Sequence, residues 1–178
     1  SSFERDLSKS AKVTADLPLH KAIRTTAFWA SYFMFAFAYF ALLMVMVHIV
    51  PFAIDIGIDP MSASFALSAI GISGIVGKVA VGFASDKVGR RGALIISYGV
   101  SAIMMVLLVG TADAWMLYLI AAIFGFFYGG WVAMYTPLTA ELFGLTHLGA
   151  NLGAITTTFG IGGALGPVIA GYIFDVTG

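Results

Sequence analysis

The sequence has no cysteine, so disulfides and thiolate metal sites are excluded from the start. It is also poor in charge: 10% of its 178 residues are Asp, Glu, Lys or Arg, against about 25% in an average soluble domain. That shortage excludes a disordered chain, a nucleic-acid binder and an ordinary soluble enzyme. Net charge is zero, from nine basic and nine acidic residues, so the sum says nothing about partners. The three histidines, His20, His48 and His147, fall on separate segments. No Ser-His-Asp arrangement, phosphate loop or His/carboxylate metal cluster is visible, so neither an enzyme nor a cofactor is expected. What is present in excess is apolar surface. Hydrophobic residues make up 60% of the chain, mean hydropathy is +0.99, and there are 21 glycines. Glycine costs about 1 kcal/mol in an exposed helix but is common where helices pack closely in lipid.

A membrane-crossing helix needs roughly 20 mainly apolar residues. Five runs qualify: 27–50, 61–84, 92–110, 115–139 and 148–174. The first is too long for a secretory signal and lacks a small-residue cleavage pattern. Residues 1–26 read as a polar linker, whose part from Leu17 to Thr26 suits a short interfacial helix. Arg5, Lys9, Lys12, Lys21 and Arg24 precede the first span, and Lys87, Arg90 and Arg91 follow the second. If the helices alternate, eight of the nine basic residues lie on one side. The positive-inside rule then puts the N-terminus and the 85–91 loop in the cytoplasm of a cell-membrane protein. Trp29 and Trp115, near opposite ends of their spans, read as interface anchors.

The loop after the second span reads GFASDKVGRRGAL. Gly82 permits close helix approach, and Gly89 permits a tight turn with positive φ. Asp86 can accept hydrogen bonds from a helix N-terminus or pair with an arginine. Together with Arg90 and Arg91 these residues would latch helices on the cytoplasmic side. The plainer reading, that the arginines only set topology, leaves Gly82, Asp86 and Gly89 unexplained. The stretch resembles the G-x-x-x-D-x-x-G-R-[KR] signature of the major facilitator superfamily.

HIVPFAIDIGIDP (48–60), AELFGLTHLGANLG (140–153) and GGALGPVIAGYIFDVTG (162–178) are similar to segments of bacterial monocarboxylate and oxalate–formate type carriers. The resemblance implies an all-α membrane protein: five transmembrane helices, the seventh to eleventh of twelve, from a six-helix half-bundle. A missing N-terminal half would complete the transporter. The loop 144–147 lacks the arginines often seen there in the superfamily, and His147 partly substitutes.

Lys78 is the only basic residue inside a span, roughly 9 Å along the helix from residue 84. Its four-carbon stem allows snorkelling to the headgroups. Alternatively, Leu67, Gly71, Gly74, Lys78 and Gly82 share a narrow helical stripe, and three glycines beside one cation make a groove. A desolvated ammonium in such a groove is an anion site, or a proton site. The resemblance places Lys78 where those carriers hold a cation, usually arginine, in helix eight. Animal monocarboxylate carriers pair it with an acid four residues earlier, which here is Gly74. Oxalate–formate types carry a second cation in helix eleven, which alignment on Gly166 and Pro167 puts at Thr158. One charge without either partner suits a monoanion better than a dianion.

Further cavity candidates are Asn151 and Thr158, which share a face with Gly162 and equally suit helix bridging. Tyr128, Trp131 and Tyr135 lie at helical spacing, as do Tyr32 and Tyr39. Such stripes are usually core, but Trp131 is too deep for an interface anchor. The pairs Gly125/Gly129, Gly149/Gly153 and Gly162/Gly166 have small-xxx-small spacing and read as packing. Pro167 would bend the last span. With no Asp or Glu inside a span, a coupling acid would lie in the missing half. The expectation is therefore an alternating-access carrier of a small organic anion, proton-coupled or exchanging. A same-fold drug or metabolite exporter and a non-transporting scaffold or sensor remain open.

Overall fold

The computed structural model describes residues 16–177, and among these the regular structure is helical throughout. The elements are α1 (Leu19–Ala22), α2 (Thr26–Asp55), α3 (Pro60–Val88), α4 (Arg90–Val109), α5 (Ala114–Ala133), α6 (Tyr135–Phe143) and α7 (Leu148–Thr177). Five spans are long and apolar enough to cross a membrane, α5 and α6 together forming one of them. The all-α membrane architecture expected from the sequence is what the chain adopts.

Each span begins or ends for a legible reason. Asp59 caps α3, its Oδ1 accepting from Met61 N and Ser62 N at 3.1 Å, with Pro60 in the first turn. The Ser62 side chain first, and then these backbone N–H groups, hold the Asp59 carboxyl below the usual carboxylate range. Thr25 and Asp113 cap α2 and α5 in the same way. Gly89 alone joins α3 to α4, at φ +88°, the positive φ anticipated for it.

Several boundaries differ from the sequence reading. Helix α2 continues five residues beyond 50, through Pro51 to Asp55. Membrane helices tolerate such prolines where neighbours re-satisfy the freed carbonyl. Helix α3 runs to Val88, so Lys78 stands ten residues, about 15 Å, from the helix end. The 115–139 run is interrupted at Met134. Pro137 has no N–H for the carbonyl of Ala133, so the helix breaks and restarts as α6. The expected helix over Leu17 to Thr26 shrinks to the single turn α1, because Thr25 leaves the helix to cap α2. The part of the linker before Asp16 lies outside the described residues.

Glycines set the two closest helix pairings. A Cβ on Gly77 would strike the Phe126 backbone, one on Gly129 the Gly74 backbone, and one on Gly125 the Ile70 backbone, so α3 and α5 touch main chain to main chain. Gly162 and Gly166 do the same for α7 against Phe40 of α2. Gly149 and Gly153, expected to pack, have nothing within 4 Å of a Cβ. Phe35, Ile49, Ile70 and Ile155 fill the interior, while Phe37, Ile72, Val106 and Trp115 form part of an exposed apolar outer surface. The segment before α1, the Gly89 joint and the α6–α7 turn share one end of the bundle, as Leu17 N–Phe143 O (3.0 Å) and Arg90 Nη1–Pro137 O (3.1 Å) show.

Candidate functional site

Lys78 lies on an open face of α3. Its depth follows from the parallel register of α3 and α5: Gly74 meets Gly125 and Tyr128, Gly77 meets Phe126, and Val81 meets Gly130. Lys78 is therefore level with the segment around Tyr128 and Trp131. The direction follows from the helix period. Ala80 and Ala84 flank the cleft toward Ile96 and Ser97 of α4. At about 100° per residue, Lys78 points about 160° away from Ala80, on the Tyr128 side. The side chain is exposed. Of the three glycines in its stripe, Gly71 and Gly82 border open space, whereas Gly74 lies buried under the Tyr128 ring. A Cβ at Gly74 would sit 3.4 Å from Tyr128 Cδ1 and Cε1. The groove expected from three equivalent glycines is thus two open positions and one packing position.

One turn from Lys78, Gly74 packs under Tyr128, which belongs to a cluster of aromatic residues. Trp131 is buried (2% exposed) and serves as the hub. Its ring centroid lies 5.2 Å from Tyr39, 5.9 Å from Tyr128, 5.6 Å from Tyr98 and 6.4 Å from Phe35. Tyr39 also meets Phe159 of α7 edge-on at 5.1 Å. Edge-to-face contacts of this kind fix ring orientation and add about 0.5–1.5 kcal/mol beyond area. Tyr39, Tyr128 and Trp131, from two different helices, therefore form one rigid wall.

Asn151 and Thr158 do not join that wall. Both are fully buried. Asn151 Nδ2 donates to Leu17 O at 2.9 Å, so it bridges α7 to the segment before α1. The Thr158 hydroxyl donates to Ile155 O, 2.7 Å away in its own helix. The exposed neighbours Thr156 and Thr157 reach other helices, and Thr158 also lies within reach of the Tyr135 hydroxyl. Tyr135 OH donates to Thr156 Oγ1 (3.1 Å), and Tyr32 OH pairs with Thr157 Oγ1 (3.0 Å). The run of three threonines in an apolar span was the signal for these bonds, but spacing alone favours Thr158.

In the signature loop Arg90 makes the contact: Nη1 donates to Pro137 O and to Glu141 Oε2, each at 3.1 Å. Asp86 and Arg91 are exposed, and Gly82 borders open space rather than a close helix. From this loop it is therefore Arg90 that reaches a neighbouring helix, α6. The 144–147 turn is held by Asp16, which accepts from Thr146 N (3.2 Å) and Thr146 Oγ1 (2.6 Å), with His147 close enough to act on the same carboxylate electrostatically. Among the described residues no group of three or more His, Asp or Glu side chains is placed to hold a metal.

A family model described as Major Facilitator Superfamily matches residues 28–178. Over 136 residues the chain is 29% identical to monocarboxylate transporter 12 of Xenopus laevis, covering 74% of this chain and 30% of that protein. It is 32% identical over 134 residues to monocarboxylate transporter 13 of Rattus norvegicus, covering 74% and 31%. It is 30% identical over 156 residues to the uncharacterized MFS-type transporter YhjX of Escherichia coli (strain K12), covering 84% and 38%. The chain spans about a third of the length of these curated relatives.

Proposed function

The chain belongs to the major facilitator superfamily, and from that premise we propose that it is part of a secondary carrier that moves a small organic monoanion by alternating access. The observation that supports the reading is that Lys78, a cation within a membrane span, lies on the exposed face of α3, one turn from the Gly74 that packs under Tyr128 of the Tyr39–Tyr128–Trp131 wall. Lys78 supplies the charge. Tyr39 and Tyr128 contact the apolar part of the substrate, and Trp131, buried behind them, positions both rings. Thr158 and Asn151 support the site through packing rather than contact. The rest of the carrier, a second helical half, closes the site from the opposite side and supplies any proton-coupling acid. Gly74 supports a single-charge site: as a glycine it places no acid one turn from Lys78 on the same face. The end bearing Lys87, Arg90 and Arg91 faces the cytoplasm.

Uptake of lactate, pyruvate, formate and oxalate into proteoliposomes of the complete carrier tests this. Loss of an interaction with a charged group costs about 1.5–3 kcal/mol, so Lys78→Ala lowers monoanion uptake by about 10- to 100-fold. Lys78→Arg keeps the charge and retains measurable uptake. Full activity in Lys78→Ala overturns the anion site. Inhibition by neutral or cationic compounds but not by carboxylates would favour an exporter in which Lys78 carries a proton.

A further inference from the structure

Residues just before α1 bind the turn between α6 and α7, far away in sequence. Thr146 donates two hydrogen bonds to Asp16, one to each carboxylate oxygen. Leu17 N donates to Phe143 O at 3.0 Å, and Leu17 O accepts from Asn151 Nδ2 at 2.9 Å. Leu17 is thus pinned through both backbone groups, to the last residue of α6 and the first turn of α7. The turn is shaped to receive it: Gly144 adopts φ +82°, and a Cβ there would collide with Asp16. Behind Leu17 the chain passes through α1, whose Ala22 is fully buried, and directly into the Thr25 cap of α2. The start of α2 and the start of α7 are therefore tied together at one end of the bundle.

The outer part of the tie is releasable: Asp16 and Thr146 are exposed, so water can replace their bonds at little net cost. The inner part is the bond from the fully buried Asn151 to Leu17 O, which persists only while Leu17 stays seated.

We propose that Asp16–Leu17 is a strap that closes over the α6–α7 turn in one conformational state and opens in another. Closed, the strap makes the ends of α2 and α7 move as one body; open, it lets them part. The strap also gives any segment before residue 16 a mechanical handle on α7.

Nitroxide labels at Lys21→Cys and Leu145→Cys, two exposed positions whose side chains make none of the strap's bonds, measure the gap by pulsed electron resonance in liposomes of the complete carrier. The expected result is two distance populations, with the shorter lost in Asp16→Ala and in Thr146→Val. Asp16 and Thr146 are surface residues whose replacement leaves the helix core intact. A single population in the parent, or populations unchanged by both substitutions, overturns the proposal. The readout requires no substrate, so it stands or falls independently of the anion reading at Lys78.

Discussion

One methyl group separates the glycines that hold this bundle together from those that do not. At Gly77 a methyl would overlap the Phe126 backbone, which cannot rotate out of the way. Overpacking of this kind typically costs about 1–3 kcal/mol, so Gly77→Ala lowers the melting temperature of the detergent-solubilised protein. At Gly71 the same methyl meets nothing within 4 Å. Gly71→Ala is therefore neutral, or stabilising by up to about 1 kcal/mol through helix propensity. Equal melting shifts for the two variants would contradict the main-chain contact of α3 with α5. At Asp16 the Thr146 bonds hold the carboxyl below its ordinary range. A depressed pKa contributes stability that is present above the unfolded value and lost as pH falls through the folded one. Titration of Asp16 therefore leaves the strap intact at neutral pH and loosens it only in strong acid.

Among the elements, α6 stands apart as a nine-residue helix with a break before it and a glycine after it. Polar contacts hold it through Arg90 at Pro137 and Glu141, Tyr135 at Thr156 and Leu17 at Phe143, and ring contacts join Tyr135 to Phe35 and Phe143 to Phe28. The Arg90–Glu141 pair is about half exposed on the carboxylate side, so by itself it adds no more than about 1 kcal/mol. The break at Met134 is the more informative target. Pro137→Ala restores a donor for the Ala133 carbonyl and allows α5 to run on into α6. The expected outcome is a more stable protein, read by melting temperature, with slower uptake if α6 must bend. A variant unchanged in both respects would show that Pro137 is not what interrupts the helix.

For the whole molecule, the five crossings and the Gly89 joint were legible because long apolar runs and a glycine between charged residues are local signals. Three features were not. The break at Met134 lies inside an unbroken apolar run, where hydropathy is blind to a missing N–H. Gly77, Gly71 and Gly82 are identical letters whose roles differ only through which neighbour lies opposite. The Asp16–Thr146 bond joins residues 130 positions apart, beyond any periodicity. Similarly, Tyr39, Tyr128 and Trp131 could be nominated from spacing, but their convergence depends on how α2 crosses α5. Orientation is a property of the whole bundle and is checked as such. With an impermeant maleimide on intact cells, a cysteine at the exposed Ala112 should label and one at the exposed Lys87 should not. The reverse pattern would invert the bundle and place the strap outside the cell.

The Gly89 joint has one consequence for motion. A connection of one residue offers two freely rotating bonds and no slack, so α4 cannot slide along α3. It can only pivot, as a crank on a fixed pin. Any tilt of α3 must then swing α4 with it, and on the proposed carrier reading the outer contour of the bundle changes whenever the face bearing Lys78 does.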